Sequence, residues 1–181
     1  MSTVEEIHAL FAAHGGGAYF GEAVSQVNHA LQAAHFAASG GLREELVLAA
    51  LLHDVGHLVV ETPDDLADWH TDARHEEIGG AWLAKRFGPE VSEPVRLHVP
   101  AKRYLCATDA GYFGQLSEAS VVTLKLQGGP MSAAEVAAFE REPYYRQAVE
   151  VRLCDDRGKV AGLVTAGLAE YSGLVQRLAR S

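Results

Sequence analysis

The stretch AALLHDVGHL, residues 49–58, brings His53 and Asp54 side by side at the end of an apolar run, and His57 follows one helical turn later. A lone His-Asp pair is often only a helix end, with the histidine near the C-terminal dipole and the aspartate in water. The alanines and leucines before this pair argue for burial instead, and a buried imidazole and carboxylate need each other or a metal ion. Adjacent helical residues point about 100° apart. Both side chains can therefore reach one centre only near a helix end.

Apolar residues recur at helical spacing through nearly the whole chain, and strand patterns are scarce. Glycine and proline clusters mark most helix ends, and Pro100 is expected to stop the helix before it. A polar loop is expected from Glu61 to Arg74. The pattern predicts an all-α fold, a helical bundle in which residues 1–181 form a single domain. The predicted helices span residues 3–14, 21–38, 42–56, 75–87, 90–98, 117–127, a segment begun by the Ser132 and Glu135 capping box, 143–156 and 164–179.

The charge balance and the cysteine count limit the classes of partner. The chain has 24 acidic and 15 basic residues, which argues against a nucleic-acid partner but not against a small anionic substrate. Two cysteines without a CxxC pair indicate a reducing compartment. We find no signal peptide, and no apolar run approaches the roughly 18 residues that cross a bilayer. A cytoplasmic protein without a membrane partner is expected, and the sequence leaves its oligomeric state open.

A polar stripe lies on the second predicted helix. Tyr19, Glu22, Gln26 and His29 are spaced three, four and three residues apart, which places them on one helix face. A solvated polar face would explain Glu22 and Gln26 equally well. Tyr19 and His29 fit that explanation less well, and the spacing alone does not decide between the two.

Further candidate ligands stand at or near the ends of other predicted helices. His75 begins the fourth helix, His98 ends the fifth, and Asp155 lies on the same helix face as Arg152. Nitrogen and oxygen ligands of this kind suit one or two ions of iron, manganese or zinc. The absence of a thiolate from the set argues against a structural zinc site of the cysteine type. The candidate metal ligands are His29, His53, Asp54, His75, His98 and Asp155.

The order of these residues resembles the H…HD…D signature of the HD-domain superfamily of helical metalloproteins. Longer strings resemble one family within it, the mixed-valent di-iron oxygenases of organophosphonate breakdown. These strings are YFGEAVSQVNHALQAAHFA, LAALLHDVGH, HVPAKRYL, TLKLQGGPM and VRLCDDRGK. The resemblance implies cleavage of the carbon–phosphorus bond of 1-hydroxy-2-aminoethylphosphonate, or of its N-trimethyl analogue, to phosphate and glycine or glycine betaine. It also implies two iron ions, Fe(II) and Fe(III), with O₂ as co-substrate.

The resemblance implies a division of the ligands between two irons. One iron would be held by His29, His53, Asp54 and Asp155. Asp54 would bridge to the second iron, which His75 and His98 would hold.

The same resemblance assigns the substrate contacts. Tyr19 would sit on the second iron at rest and leave when substrate arrives, and Glu22 would then meet the ammonium group. Tyr19, Glu22 and Asp54 are accordingly the expected catalytic residues. The expected substrate-binding residues are Glu22, Gln26, His57, Lys102, Ser120 and Arg152.

The residue types suit a phosphonate. Lys102 and Arg152 supply the charged donors that a dianion needs, and Ser120 adds a hydroxyl. The segment ETPDDLADWH, residues 61–70, could act as a lid in which Trp69 receives a quaternary ammonium group. A solvated variable loop explains the same segment more simply, so the methylation state of the amine stays open.

Two other functions use the same ligands. A phosphohydrolase would bind Mn, Mg or Fe there and activate water against a small phosphate ester, without need for Tyr19 and Glu22. A noncatalytic module could sense a phosphorylated ligand, although it would not need six metal ligands. Dependence of phosphate release on oxygen distinguishes the oxygenase from the hydrolase, and metal content distinguishes both from the module.

Overall fold

The part of the chain that the computed structural model describes, residues 1–19, 21–59 and 74–180, is helical. Within these ranges the only β pairing is an isolated antiparallel bridge between Ala18 and Ser25. The predicted all-α fold class is therefore confirmed, whereas a single domain over residues 1–181 stays a prediction. The α-helices are α1 (Thr3–His14), α2 (Gln26–Ser39), α3 (Glu44–Leu52), α4 (Val55–Val59), α5 (His75–Ala84), α6 (Pro89–Arg96), α7 (His98–Thr108), α8 (Glu118–Leu126), α9 (Ala133–Phe139), α10 (Tyr145–Arg157) and α11 (Ser172–Leu178).

Helix α3 lies at the centre of the main hydrophobic core. All its residues from Leu46 to Leu52 are buried. A helix that is apolar all round must be covered on every side, and α2, α6, α10 and α11 pack against this one. A smaller cluster of Leu97, Ala101, Phe139 and Ala148 joins α7, α9 and α10. The packing of α3 in the core therefore buries its C-terminal end, where His53 lies.

Helix α2 begins five residues later than the sequence predicts. Gly21 adopts a left-handed conformation (φ 77°) that stops a helix from passing through it, and the Ser25 side chain caps α2 by accepting from the Asn28 N–H. The Tyr19 N–H donates to the Val24 carbonyl at 3.0 Å, which closes a turn. The prediction that Tyr19 and Glu22 lie on one helix face with His29 is therefore wrong.

The predicted helix over residues 42–56 is two helices that break at His53 and Asp54. His53 Nδ1 lies 2.8 Å from the carbonyl oxygen of Ala50, as expected for an N–H donor. In an uninterrupted helix that carbonyl would accept from the backbone N–H of Asp54. The histidine side chain thus replaces a backbone bond at the point where the two helices separate.

The sequence prediction misses helix α7. His98 begins α7 and does not end the preceding helix, and Pro100 lies in the first turn of α7. Proline is tolerated there because the first N–H groups of a helix have no partner within it.

Other predicted boundaries are met more closely. Ser117 and Ser132 cap α8 and α9 as expected, and Ser132 forms the predicted capping box with Glu135. The predicted helix over residues 164–179 is shorter, a 3-10 helix at Leu168–Tyr171 followed by α11. Apart from Arg74, the predicted loop from Glu61 to Arg74, and with it the suggested lid and Trp69, lies outside the described residues.

Helices α4 and α5 approach each other backbone to backbone. A Cβ atom on Gly56 would lie 2.0 Å from the carbonyl oxygen of His75 and 3.0 Å from the backbone nitrogen of Gly79. A Cβ atom on Gly79 would in turn lie 3.1 Å from the backbone nitrogen of Gly56. The glycines therefore set the distance between His75 and the His53–Asp54 break.

We predict that Gly56→Ala will push α5 away from α4 and lower the free energy of unfolding by about 3 kcal/mol, as for overpacking of a tight interior. Denaturant unfolding of the metal-free proteins measures this change. Gly114→Ala is the control, since a Cβ there meets nothing within 4 Å and should leave stability nearly unchanged. Equal stabilities for the two variants would contradict the close packing of α4 on α5.

Candidate metal centre

The six predicted metal ligands come from several helices or helix ends and converge next to the C-terminal end of α3. His29 comes from α2, and His53 and Asp54 come from the break between α3 and α4. His75 and His98 are the first residues of α5 and α7, and Asp155 lies near the end of α10. All six predicted metal ligands are therefore brought to one region, and His29, His53, His98 and Asp155 are buried there.

Four of these side chains form a first cluster. His29 Nε2 lies 3.0 Å from His53 Nε2 and 3.4 Å from Asp155 Oδ1. Asp54 Oδ2 lies 3.3 Å from His53 Nε2 and 3.7 Å from His29 Nε2. Two imidazole nitrogens and two carboxylate oxygens thus point at a common centre, as a metal site of mixed nitrogen and oxygen ligands requires.

The other oxygen of Asp54 belongs to a second cluster. Asp54 Oδ1 lies 3.3 Å from His75 Nε2 and 3.6 Å from His98 Nε2, and these two nitrogens are 3.2 Å apart. Asp54 is the residue that the two groups of potential metal ligands share. Its carboxylate can therefore bridge two ions, one in each cluster.

The backbone holds the histidines in the form that binds metal. His29 Nδ1 lies 2.9 Å from the Gly158 carbonyl oxygen, and His98 Nδ1 lies 2.7 Å from that of Val95. His53 makes the corresponding bond to Ala50. A carbonyl can only accept, so each Nδ1 carries a proton, and Nε2 is the nitrogen that each ring has available to bind a metal ion at the centre.

Two carboxylate oxygens at the centre have no hydrogen-bond donor in the described part of the chain. They are Asp54 Oδ2 and Asp155 Oδ1, and both are buried. Such atoms are costly unless something satisfies them, and a cation does so. The orphaned oxygens and the histidine lone pairs together fit a metal cofactor.

The buried charged groups at the centre shift one another's pKa values. Burial opposes the charged forms of Asp54 and Asp155, but His53 and His75 hold the pKa of Asp54 well below its usual value, and Arg152 does the same for the pKa of Asp155. Burial also opposes charge on His53, yet both aspartates raise its pKa to about 9. The centre is thus an anionic site that attracts positive charge.

Tyr19 lies against the first cluster. Its ring stacks on His29, with centroids 3.9 Å apart and planes inclined by 19°. Burial, followed by the charges of Asp54 and Asp155, raises the pKa of its hydroxyl well above the usual value. Tyr19 therefore reaches the centre from the turn before α2, and its binding to the second metal stays a prediction.

The predicted phosphonate-binding cations line one side of the centre. Arg152 Nη1 lies 2.7 Å from Asp155 Oδ2, and the same guanidinium is paired with Asp156 and Tyr112. Lys102 is buried and donates to Thr123 Oγ1 at 2.9 Å. Burial, with the charge of Arg152, lowers the pKa of Lys102 to about 7.

The remaining predicted substrate residues lie at varying distances from the metal ligands. The His57 ring stacks on His75 with centroids 4.0 Å apart, beside the second cluster. Ser120 is buried and accepts a hydrogen bond from Lys159. Glu22 is partly buried, with 15% of its side chain exposed, and Gln26 is the first residue of α2. No contact that the structure gives for the described residues ties Gln26 to the centre.

Sequence reasoning missed four residues that contact the predicted substrate-binding residues. Three of them stand three or four residues after a predicted site residue, and this spacing is the available signal. Asp156 and Lys159 follow Arg152 and Asp155 by four residues, and Thr123 follows Ser120 by three. Tyr112 gave no such signal. The missed residues are Tyr112, Thr123, Asp156 and Lys159.

The fold and the centre define a helical protein with two clusters of histidines and aspartates that could each hold a metal ion. The HD domain family model matches residues 27–148. The chain is 45% identical over 175 residues to the 1-hydroxy-2-(trimethylamino)ethylphosphonate dioxygenase (glycine-betaine-forming) of Leisingera caerulea, which covers 97% of this chain and 89% of that protein. It is 46% identical over 161 residues to the hydroxymethylphosphonate dioxygenase of Gimesia maris, covering 86% of this chain and 78% of that protein.

The chain belongs to the HD-domain family and, within it, to the family of these phosphonate dioxygenases. This confirms the family expected from the sequence strings.

We predict that Asp54→Ala will lose both metal ions, because each cluster loses one carboxylate oxygen and the two sites lose their bridge. His75→Ala should lose mainly the ion of the second cluster and keep the first. Metal analysis of protein purified with excess metal gives the number of ions per chain. Asp109→Ala removes an exposed aspartate and should keep both ions. Retention of one tightly bound ion in Asp54→Ala would show that the clusters are independent.

Proposed function

We propose that this protein is a di-iron oxygenase that uses O₂ to cleave the carbon–phosphorus bond of a 1-hydroxy-2-ammonioethylphosphonate or its trimethylammonio analogue. The products are phosphate and glycine or glycine betaine. The observation that carries the proposal is similarity along most of the chain to two dioxygenases whose named substrates are both hydroxyphosphonates. Five of the six candidate metal ligands lie within the region that the HD domain model matches, and Asp155 follows it.

The reaction balances with one O₂ for each substrate. The carbon that bears the hydroxyl and phosphorus becomes a carboxylate, and the phosphonate leaves as phosphate. Each product gains one oxygen atom, and dioxygen takes up the four electrons. No further reductant is needed, so O₂ consumption and phosphate release should match one to one.

Iron in the two clusters would supply the redox chemistry with O₂. We assign one ion to His29, His53, Asp54 and Asp155, and the other to His75, His98 and the second oxygen of Asp54. The distances between these ligand atoms and the two orphaned oxygens support this assignment. The HD-domain family and the set of nitrogen and oxygen ligands support it as well.

The chain's own groups would bind and orient the phosphonate. We assign this role to Lys102, Arg152, Ser120 and His57. Arg152 is held by Asp155 and Asp156 through three of its donors, so its guanidinium is rigid before substrate arrives. A preorganised cation binds a dianion with little further ordering.

We assign Tyr19 and Glu22 to the other end of the substrate. The turn at Gly21 places them before α2, so they can move without unwinding a helix. In this proposal Tyr19 occupies the centre at rest, and Glu22 accepts the cationic group of the substrate. Gln26 is kept as a substrate contact only by its place next to that turn.

The hydrolase that the same ligands would allow is the less supported function. Both curated relatives are named dioxygenases, which favours oxidative cleavage. The proposed partner is therefore a small phosphonate, in a reducing cytoplasm that suits the free Cys106 and Cys154. Within the described residues no helix is long and apolar enough to cross a membrane.

We predict that anaerobically iron-loaded protein will release phosphate from hydroxymethylphosphonate and from the amino and trimethylamino hydroxyphosphonates only when O₂ is present, with equal amounts of O₂ consumed. An oxygen electrode and a phosphate assay on one sample measure both quantities. Glu22→Ala should weaken binding of the amine-bearing substrates while metal content is unchanged. Phosphate release from a phosphate ester without O₂ would instead identify the hydrolase.

We predict that phosphonate binding near pH 8 is accompanied by proton uptake, because the Lys102 side chain is mostly the neutral amine above its pKa of about 7 and a bound dianion favours the ammonium form. The uptake should shrink below pH 7, where the free protein already holds that proton. Anaerobic calorimetry in two buffers with different ionisation enthalpies measures the uptake. Lys102→Met should lose it at pH 8. The same uptake in both proteins would remove Lys102 from the phosphonate site.

A further inference from the structure

Lys159 lies between the two ends of the proposed substrate pocket. Its Nζ donates to Ser120 Oγ at 2.9 Å on the side assigned to the phosphonate. The same atom is 3.8 Å from Glu22 Oε1 and 3.9 Å from Asp155 Oδ1. Only 11% of the Lys159 side chain is exposed. A largely buried ammonium is thus in contact with both ends at once.

Tyr19 completes the surroundings of this ammonium. The Lys159 Nζ lies 5.9 Å from the centroid of the Tyr19 ring, within the range of a cation–π contact. Tyr19, Glu22 and Lys159 therefore form a group next to the turn that precedes α2.

A nearby cation balances the charge of the Glu22 carboxylate, but one carboxylate oxygen lacks a hydrogen bond. Glu22 Oε1 is buried and accepts no hydrogen bond from the residues that the structure describes. Among the described residues, Lys159 is the cation that forms an ion pair with Glu22. The distance of 3.8 Å between Lys159 Nζ and Glu22 Oε1 is longer than a hydrogen bond. Lys159 thus balances the charge of Glu22, while the oxygen can still accept a donor.

From this geometry we infer that Lys159 is a specificity-determining residue for the charge of the group attached to the hydroxyl-bearing carbon of the substrate. The inference rests on the proposed function, because it concerns the phosphonate pocket of that reaction. A substrate without a cation leaves the Glu22–Lys159 pair intact. A substrate with an ammonium group shares Glu22 with Lys159, so the protein accepts both classes and discriminates weakly between them.

Removing Lys159 should change this balance in one direction. Glu22 would become a buried charge without a counter-charge, which is costly unless the substrate supplies one. The loss of positive charge near Ser120 should weaken every phosphonate, but the loss should be larger for those with an uncharged tail. The ratio of kcat/KM for substrates with and without a cationic group therefore reports on the Glu22–Lys159 pair and not on the contacts to the phosphonate.

The test compares kcat/KM for hydroxymethylphosphonate with that for 1-hydroxy-2-aminoethylphosphonate. Lys159→Met should raise the preference for the amino substrate by about tenfold or more, the size expected for a close buried charge pair. Glu22→Gln should lower that preference. When Glu22→Gln is already present, Lys159→Met should change the ratio less than it does in the wild-type protein. Lys159→Arg should keep the wild-type ratio.

Lys125→Met is the matched control. Lys125 is an exposed lysine on α8, the helix that carries Ser120, and its removal should leave the ratio unchanged. Metal content and thermal unfolding show whether each variant keeps its fold. Lys159→Gln serves as a second charge-removing variant if Lys159→Met fails to fold.

Binding gives a readout that does not depend on turnover. Anaerobic calorimetry with ethylphosphonate and 2-aminoethylphosphonate should show the same change of ratio in Lys159→Met. An unchanged ratio in a folded, metal-loaded variant would overturn the inference even if the wild-type enzyme is an active oxygenase. If the wild-type protein releases no phosphate with O₂, the proposed function fails, and the binding ratio alone decides the role of Lys159.

Discussion

The Asp54 carboxylate directs one oxygen to each of two histidine clusters, and the arrangement of the helices makes this geometry possible. Oδ2 faces His29 and His53, while Oδ1 faces His75 and His98. The carboxylate can reach both sides because the helix that delivers it breaks there. The all-buried α3 fixes this point in the core, and the glycine contact between α4 and α5 brings His75 up to it.

Charge explains why the centre needs a cofactor. Aspartates and histidines are buried together, and two carboxylate oxygens lack donors within the described ranges. Arg152 compensates part of this charge from one side, and Lys159 from another. The same two cations face the space proposed for the phosphonate, so in this proposal the groups that balance the charge of Asp155 would also bind the anion.

The convergence of the six candidate metal ligands could be predicted because their order and the strings around them are features of the family, whereas their binding of metal stays a prediction. Their places on helices were harder to predict. Pro100 predicts that the helix ends at His98, but proline also fits the first turn of a helix, as it does in α7. The spacing of Tyr19 and Glu22 predicts a helix, but Gly21 at positive φ turns the chain there. Contacts between segments that are distant in the sequence, such as Lys159 with Glu22, depend on packing that spacing does not encode.

The claim that Asp54 bridges two iron ions is tested most directly by a crystal structure of the iron-loaded protein with anomalous data at the iron edge. The account predicts two anomalous peaks per chain, with Oδ2 of Asp54 bound to the ion that His29 and His53 hold and Oδ1 bound to the ion between His75 and His98. A single peak per chain, or two peaks with Asp54 bound to only one of them, would contradict it.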